Sequence, residues 1–359
     1  MTTTVLVRHR VGEYPVYIGG GLLEDLPALA ARHLPGRRLA VITDRNVARL
    51  VRSPLEVPTL VVAAGERSKT RRKWAELSDR LLDLGFGRDS ALVALGGGVV
   101  GDLAGFVAST LLRGVPWLQV PTTLLAMVDA SVGGKTGVDT PHGKNLVGAF
   151  HPPAAVVADP RVLRTLPDPV YRAGLAEVAK HGLVADAAFF DWLAREAVAV
   201  GERDEATLVR LLHRSVEIKG AIVSEDEFET GPRAILNAGH TVAHAIEAVS
   251  GYAVAHGEAV AIGLVAEAAL AEELGLAPAG LRDRVAGLLR ELCLPVALPA
   301  DYAVADLLQG MSHDKKNRDG MIRFALPVAV GTMARDGDRW TVAAAGDQIA
   351  AALRTVGAG

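Results

Sequence analysis

The stretch 233–258, RAILNAGHTVAHAIEAVSGYAVAHGE, gathers Arg233, Asn237, His240, His244, His256 and Glu258. His240 and His244 stand four apart and share a face if the segment is helical. Two imidazoles on one face can hold a metal ion or a substrate, although plain solvated helices carry the same spacing. Gly239 before His240 and Gly257 after His256 would let backbone or ligand come close to these side chains. Upstream, AEVAKHG at 176–182 sets Glu177 and Lys180 one helical turn apart, the spacing of an ordinary ion pair. If Glu177 faces His240 and His256, one carboxylate and two imidazoles with open positions make a catalytic zinc set. The pair His240 and His244 answers the same chemistry, and spacing leaves both sets open.

A second group of residues suits a nucleotide. Gly96, Gly98 and Gly101 satisfy G-x-G-x-x-G directly after the apolar run ALVAL at 91–95. Such glycines allow a tight turn, close approach of a pyrophosphate and free N–H groups at a helix start; a packing turn uses them equally. The acid expected about twenty residues later is missing, and WLQVP stands there. Asp44 and Glu66, at the ends of the apolar runs 39–43 and 59–63, are the alternatives for ribose hydroxyls. The segment 129–145, DASVGGKTGVDTPHGKN, carries Asp129, Lys135, Lys144 and Asn145 among four glycines. Lysines on a glycine-rich loop suit phosphate oxygens as point charges. It is not a P-loop, because Asp129 stands where the upstream glycine is required. The acidic run Glu225, Asp226, Glu227 and Glu229 reads mainly as a solvated connector.

The elements that must position these groups follow from periodicity. Two short strands around Gly12 fill 4–18, and apolar runs at 39–44, 59–66, 91–95, 117–120 and 155–159 read as buried strands. A charged helix spans about 69–84. Strands alternating with helices predict a parallel sheet with helices on its faces. From 168 the pattern turns helical, with helices at 186–199, 204–224, 240–250, 257–275 and 279–291, until strand character returns at 322–331. The expected fold is therefore a Rossmann-like α/β nucleotide-binding domain over 1–170, followed by a mostly α-helical domain over 171–359.

The bulk properties agree with two domains, since 359 residues exceed one ordinary core. Half the residues are hydrophobic and 22% are charged, as in soluble globular proteins. A net charge of −3 and 4% aromatics argue against nucleic acid as a partner. Cys293 is the only cysteine, so no internal disulfide is expected and a cytoplasmic location fits. Asp102, Glu258 and Glu267 interrupt the richest apolar regions, which excludes a helical membrane span there.

The segments GERSK, GGGVVGD, VPTTLLAMVDASVGGKTGVD, GKNLVGAF, GLAEVAKHG, ILNAGHTVAHAIE, HGEAV and HDKK occur in this order across most of the chain. Together they resemble the 3-dehydroquinate synthase family, within the sugar-phosphate cyclase superfamily. The resemblance implies an active site between the two domains, a homodimer, and a sugar-phosphate substrate, 3-deoxy-D-arabino-heptulosonate 7-phosphate. The implied cofactors are NAD, used and regenerated in each turnover, and zinc or cobalt. It implies Glu177, His240 and His256 as metal ligands, with His244 beside the substrate. Lys135, Asn145, Lys180, Lys219, Arg233, Asn237, Asp129 and the lysines Lys315 and Lys316 of HDKK would line the substrate. Arg113 is similar to a family arginine that reaches the neighbouring subunit's phosphate site. Asp44, Asn46, Glu66, Lys69, Gly97, Gly98, Val99, Asp102, Thr122, Thr123 and Lys144 match NAD-contacting positions, and Val162, Leu163, Arg164 and Thr165 should lie near NAD. Ala238, Val242, Ala243 and Pro152 depart from common family residues without removing a charged or metal-binding group. A cyclase acting on sedoheptulose 7-phosphate and a metal-dependent polyol dehydrogenase are the rival readings.

Overall fold

Short apolar runs closed by glycine, proline or aspartate build the first part of the chain into strands, and the computed structural model describes residues 2–299, 302–312 and 321–359. The strands are β1 Thr3–His9, β2 Gly12–Ile18, β3 Arg38–Asp44, β4 Thr59–Val62, β5 Ser90–Gly96, β6 Trp117–Pro121, β7 Lys135–Thr140, β8 Gly143–Phe150 and β9 Ala155–Ala158. Seven of them form one sheet in the order β1-β2-β9-β6-β5-β3-β4. Only the β1–β2 hairpin is antiparallel; every other pairing in this sheet is parallel. All residues of β5 are buried, as expected for a central strand covered on both faces. The helices between are α1 Leu26–His33, α2 Arg45–Leu50, α3 Arg71–Asp83 and α4 Gly98–Thr110. Leu77 and Leu81 of α3 and Leu103 and Val107 of α4 share a core with Ile42, Leu60, Leu92 and Trp117 of the sheet.

The second part is helical: α5 Asp168–Ala185, α6 Ala187–Arg195, α7 Ala197–Gly201, α8 Glu205–Glu225, α9 His240–Val249, α10 His256–Glu273, α11 Leu281–Glu291, α12 Val304–Ser312 and α13 Gly346–Arg354. Two short strand pairs, Ile322–Phe324 with Val342–Ala344 and Pro327–Ala329 with Thr332–Met333, accompany them. α10 is buried along nearly all its length and packs against α5, α9, α11 and α13. A helix apolar all round is a core helix. Among the described residues no helix is long and apolar enough to cross a membrane.

The chain divides into two compact units. Unit 1 runs to Pro167 and takes in Leu208–Ser224; unit 2 holds Asp168–Thr207 and the chain from Glu225. Most of α8 thus packs with the sheet unit. Thr3 Oγ1 meets His213 Nδ1 at 3.0 Å, the Arg8 N–H donates to Ser224 Oγ at 3.1 Å, and Gly220 faces Val7.

Three expectations are corrected. Residues 135–145 are not an open loop: β7 and β8 form an antiparallel ribbon of their own. The Thr and Val residues favour strands, and Gly137 and Gly148 let the two backbones touch, since an added Cβ on Gly148 would collide with Thr136 O. The helix expected over 186–199 breaks at Glu196 into α6 and α7. The single strand expected over 322–331 is two short strands that pair with different partners.

Candidate functional site

Three helices of unit 2 deliver one donor set. Glu177 lies in the middle of α5, while His240 and His256 are the first residues of α9 and α10. Their ligand atoms lie within 4.8 Å of one another. Glu177 Oε1 is 3.5 Å from His240 Nε2 and 3.8 Å from His256 Nε2. Donors about 2.0–2.1 Å from one tetrahedral ion stand roughly 3.3–3.4 Å apart, so the set closes on a zinc-sized ion with small movement. His240 Nδ1 donates to Ala238 O at 3.2 Å, which leaves its Nε2 lone pair facing Glu177. His256 Nδ1 meets Glu247 Oε2 at 3.3 Å and turns its Nε2 the same way. Glu177 is 1% exposed; the Lys180 ammonium sits on its Oε2, and among the described residues no hydrogen-bond donor meets Oε1. A buried carboxylate left in this state fits a metal cation.

Electrostatics separates the two histidines. Burial, then the Lys180 cation and the neighbouring His256 and His244, hold His240 well below its ordinary value, in the neutral form that a ligand needs. Burial also lowers His256, but the hydrogen bond to Glu247 and the charges of Glu177 and Glu247 outweigh it and raise the group.

Local packing explains why the helices start where they do. Gly239 adopts φ +80°, a left-handed turn that glycine takes without strain. Its N–H donates to Glu267 Oε2 at 2.6 Å, and Gly263 admits the Gly239 carbonyl where a Cβ would collide. An added Cβ on Gly257 would likewise collide with Ala173 O of α5. Gly257 therefore serves a close backbone approach, and Gly239 a left-handed turn packed on the Leu264 side chain and the Val260 carbonyl.

The other nominated residues of unit 2 cluster nearby in sequence. His244 is exposed one turn beyond His240, its ring edge-on at 5.6 Å. Lys180 is buried beside Glu177. Arg233 is buried on a 3-10 turn, and its Nη1 donates to Glu227 O at 2.5 Å. Asn237 Nδ2 donates to Glu229 Oε1 at 2.8 Å. Asp226 is the exception in an acidic run read mainly as a solvated connector. It is buried and accepts from the backbone N–H of Thr230, Gly231 and Arg233. Burial opposes its ionisation, but those hydrogen bonds prevail and lower its pKa. Lys315 and Lys316 lie outside the described residues.

In unit 1 the nominated residues follow the strand ends. Gly97, Gly98 and Val99 form the turn from β5 into α4, with Gly101 against Gln119 of β6, so the third glycine serves helix–strand packing. Thr122 is buried; Thr123 Oγ1 accepts from the Ala126 N–H at 3.1 Å. Lys69 is buried and pairs with Asp102 Oδ2 at 2.5 Å and Glu66 Oε1 at 3.9 Å. Burial pulls the Lys69 ammonium down, but the Asp102 and Glu66 charges raise it overall. Asp44 caps α2, accepting from the N–H of Asn46 at 2.7 Å and of Val47 at 3.1 Å. Lys135 is an exposed residue opening β7, and exposed Lys144 and Asn145 follow the β7–β8 turn, Asn145 with φ +56°. Lys219 Nζ donates to Asp129 O at 2.6 Å and Oδ1 at 2.7 Å. Leu112, Arg113 and Gly114 take successive positive φ values after α4, and Arg113 is exposed. Val162 and Leu163 are buried in a 3-10 turn, with Arg164 and Thr165 exposed.

Sequence reasoning missed Glu247, Glu267 and Asp139. Asp139 donates its N–H to Lys69 O at 2.8 Å and accepts from the Asn145 N–H at 2.9 Å, tying the ribbon to the lysine. Glu247 had one available signal: it stands two turns after His240 on the same face.

By fold the protein is of the sugar-phosphate cyclase class. A 2-deoxy-scyllo-inosose synthase solved with carbaglucose-6-phosphate, NAD+ and Co2+ superposes with a TM-score of 0.90 at 26% identity, covering 99% of this chain and 100% of that one. A 2-epi-5-epi-valiolone synthase from Streptomyces hygroscopicus subsp. jinggangensis 5008, with NAD+ and Zn2+ bound, gives 0.84 at 32% identity over 98% of both chains. The family model for the 3-dehydroquinate synthase N-terminal part matches residues 59–173, and that for the C-terminal part matches 174–317. A 3-dehydroquinate synthase of Symbiobacterium thermophilum is 48% identical over 89% of this chain and 92% of its own length. The chain belongs to the 3-dehydroquinate synthase family. It is an enzyme of this type, a cyclase that eliminates phosphate.

Proposed function

We propose that the chain converts 3-deoxy-D-arabino-heptulosonate 7-phosphate to 3-dehydroquinate and inorganic phosphate, with NAD and zinc or cobalt as cofactors. This is the second step of the shikimate pathway, and we place the enzyme in the cytoplasm as a homodimer. The observation that carries the reading is Glu177, a buried carboxylate whose Oε1 faces the Nε2 atoms of two imidazoles, in a chain of this family.

Glu177, His240 and His256 hold the metal ion; Asp44, Asn46, Glu66, Lys69, Gly97, Gly98, Val99, Asp102, Thr122, Thr123, Lys144 and the 162–165 turn hold NAD. When bound, NAD takes up and returns hydride at one secondary alcohol, and the metal polarises that oxygen as a Lewis acid. The chain's own residues bind and orient. Arg233, Asn237 and Lys219 suit the substrate carboxylate, and Lys135, Lys180 and Arg113 suit the phosphate. Asp129, held by Lys219, faces the substrate hydroxyls. No residue is needed as a strong dedicated base, because the substrate's own phosphate takes the neighbouring proton as it leaves. Fixing that phosphate supplies the rate gain of a preorganised intramolecular transfer.

A phosphate-release assay tests the reading. The heptulosonate should give phosphate without net NADH, and a chelator should stop it. Release from sedoheptulose 7-phosphate alone would transfer the chain to the secondary-metabolism cyclases, and accumulating NADH would make it a dehydrogenase. Gel filtration with light scattering checks the dimer.

A further inference from the structure

We propose that Glu247 and Glu267 are positioning residues that form a reciprocal clasp, each holding the ligating histidine borne by the other's helix. The proposal rests on Glu177, His240 and His256 being the metal set.

α9 opens with His240 and carries Glu247 two turns later; α10 opens with His256 and carries Glu267 three turns later. Whole turns bring each carboxylate back to the face of its own helix that carries the histidine. Yet each reaches across. Glu247 of α9 meets Nδ1 of His256 on α10 at 3.3 Å. Glu267 of α10 accepts the N–H of Gly239, the residue just before His240, at 2.6 Å. One contact fixes a ring and the other fixes a backbone turn. Both carboxylates are buried, at 6% and 1% exposure, where a charge persists only if it is well bound. Gly263 completes the contact by admitting the Gly239 carbonyl, which in turn accepts the first helical hydrogen bond of α9 from the Ala243 N–H at 3.0 Å. Glu267 also stands at the positive end of α9, where an anion is favoured. Carboxylates that hold metal-ligating histidines commonly tune affinity by roughly 10–100-fold. Here the two are mechanically linked, because each helix is held by the other's side chain. Releasing one contact lets α9 shift against α10 and loosens both ligands.

The test is cobalt and zinc affinity of metal-stripped protein, titrated against a chromophoric chelator. Glu247→Ala should weaken binding roughly 10–100-fold, and Glu247→Gln, which keeps an acceptor oxygen, should recover part of the loss. Glu267→Ala should weaken binding to a similar degree. The double alanine variant should lose clearly less than the product of the two single losses, since the second change acts on a clasp already open. The thermal midpoint of metal-free Glu247→Ala should match that of Glu247→Gln, and Glu273→Ala, at the far end of α10, should bind as wild type. If Glu267→Ala does not fold, Glu267→Gln replaces it and should weaken binding several-fold. Single variants within twofold of wild type, or losses that simply multiply, overturn the clasp. Wild-type protein that binds no metal, or binds it undiminished in Glu177→Ala, overturns the metal set itself. Metal lost in Glu177→Ala but retained in the clasp variants overturns the clasp alone.

Discussion

The two candidate regions solve opposite problems. In unit 2 the donor set is assembled from a helix interior and two helix starts, and its buried carboxylate has Lys180 on one oxygen and two imidazoles near the other. In unit 1 most of the nominated residues sit on turns after strands, several of them exposed, and they include the ion pairs Lys69 with Asp102 and Lys219 with Asp129. The first region offers a carboxylate oxygen and two imidazoles to a metal ion. The second offers strand-end turns to a ligand that fits its backbone. The difference matches the chemistry of the proposed guests: a metal ion is held by a few donor atoms, whereas a dinucleotide is gripped by turns, caps and a few charges.

The largest break should come from His256→Ala. Metal analysis should find the ion absent, and turnover should fall by more than the roughly 100-fold upper end seen for an orienting residue. Gly257→Ala comes next. Its Cβ would push α10 off Ala173 of α5, and denaturant unfolding should show a loss near the upper end of the roughly 1–3 kcal/mol of an overpacked core. Lys69→Met tests the other region. It leaves Asp102 without its cation, and calorimetry should show NAD binding weakened about tenfold, equivalent to about 1.4 kcal/mol, with metal content unchanged.

Acidification should act on unit 2 first. His256 is raised above the ordinary histidine value of 6.5, and a protonated imidazole cannot ligate, so metal affinity should fall as pH drops through that raised value. His240, held low, should add no proton competition in that range. A cobalt titration across pH 5 to 8 reads this directly, and affinity flat through that interval would contradict it. The smallest effect should be Asp44→Ala, which removes an N-cap and should cost about 1 kcal/mol on thermal unfolding. A loss of NAD binding larger than that of Lys69→Met would show that Asp44 grips the nucleotide and does more than cap α2.

Much of the fold was legible because strand runs such as ALVAL and the helical spacing after 168 each follow one period. The proposed metal donors were legible by residue type, but spacing alone left both His256 and His244 open. That choice depends on where α5, α9 and α10 cross, and the crossings are set by the missing side chains of Gly257 and Gly263. Glu267 shows the limit most plainly. In the sequence it is a charge that interrupts an apolar run; in the fold it is buried and bound to a backbone N–H. Nothing local marks it, because its partner is far away along the chain. The β7–β8 ribbon was hidden for another reason. Its glycines are the usual sign of a loop, yet Gly137 and Gly148 are there so that two strands can touch.

The return of Leu208–Ser224 to the sheet unit bears on how the protein is made. During synthesis the ribosome delivers all seven strands of the main sheet well before it delivers α8. The nascent sheet must wait, with Val7, Thr3 and Arg8 lacking their helix, while the first three helices of unit 2 emerge. N-terminal domains commonly finish folding first. Here the first unit cannot close until part of the second has left the exit tunnel, so a fragment ending at Pro167 should be sticky and short-lived, and one that keeps α8 in trans should be rescued.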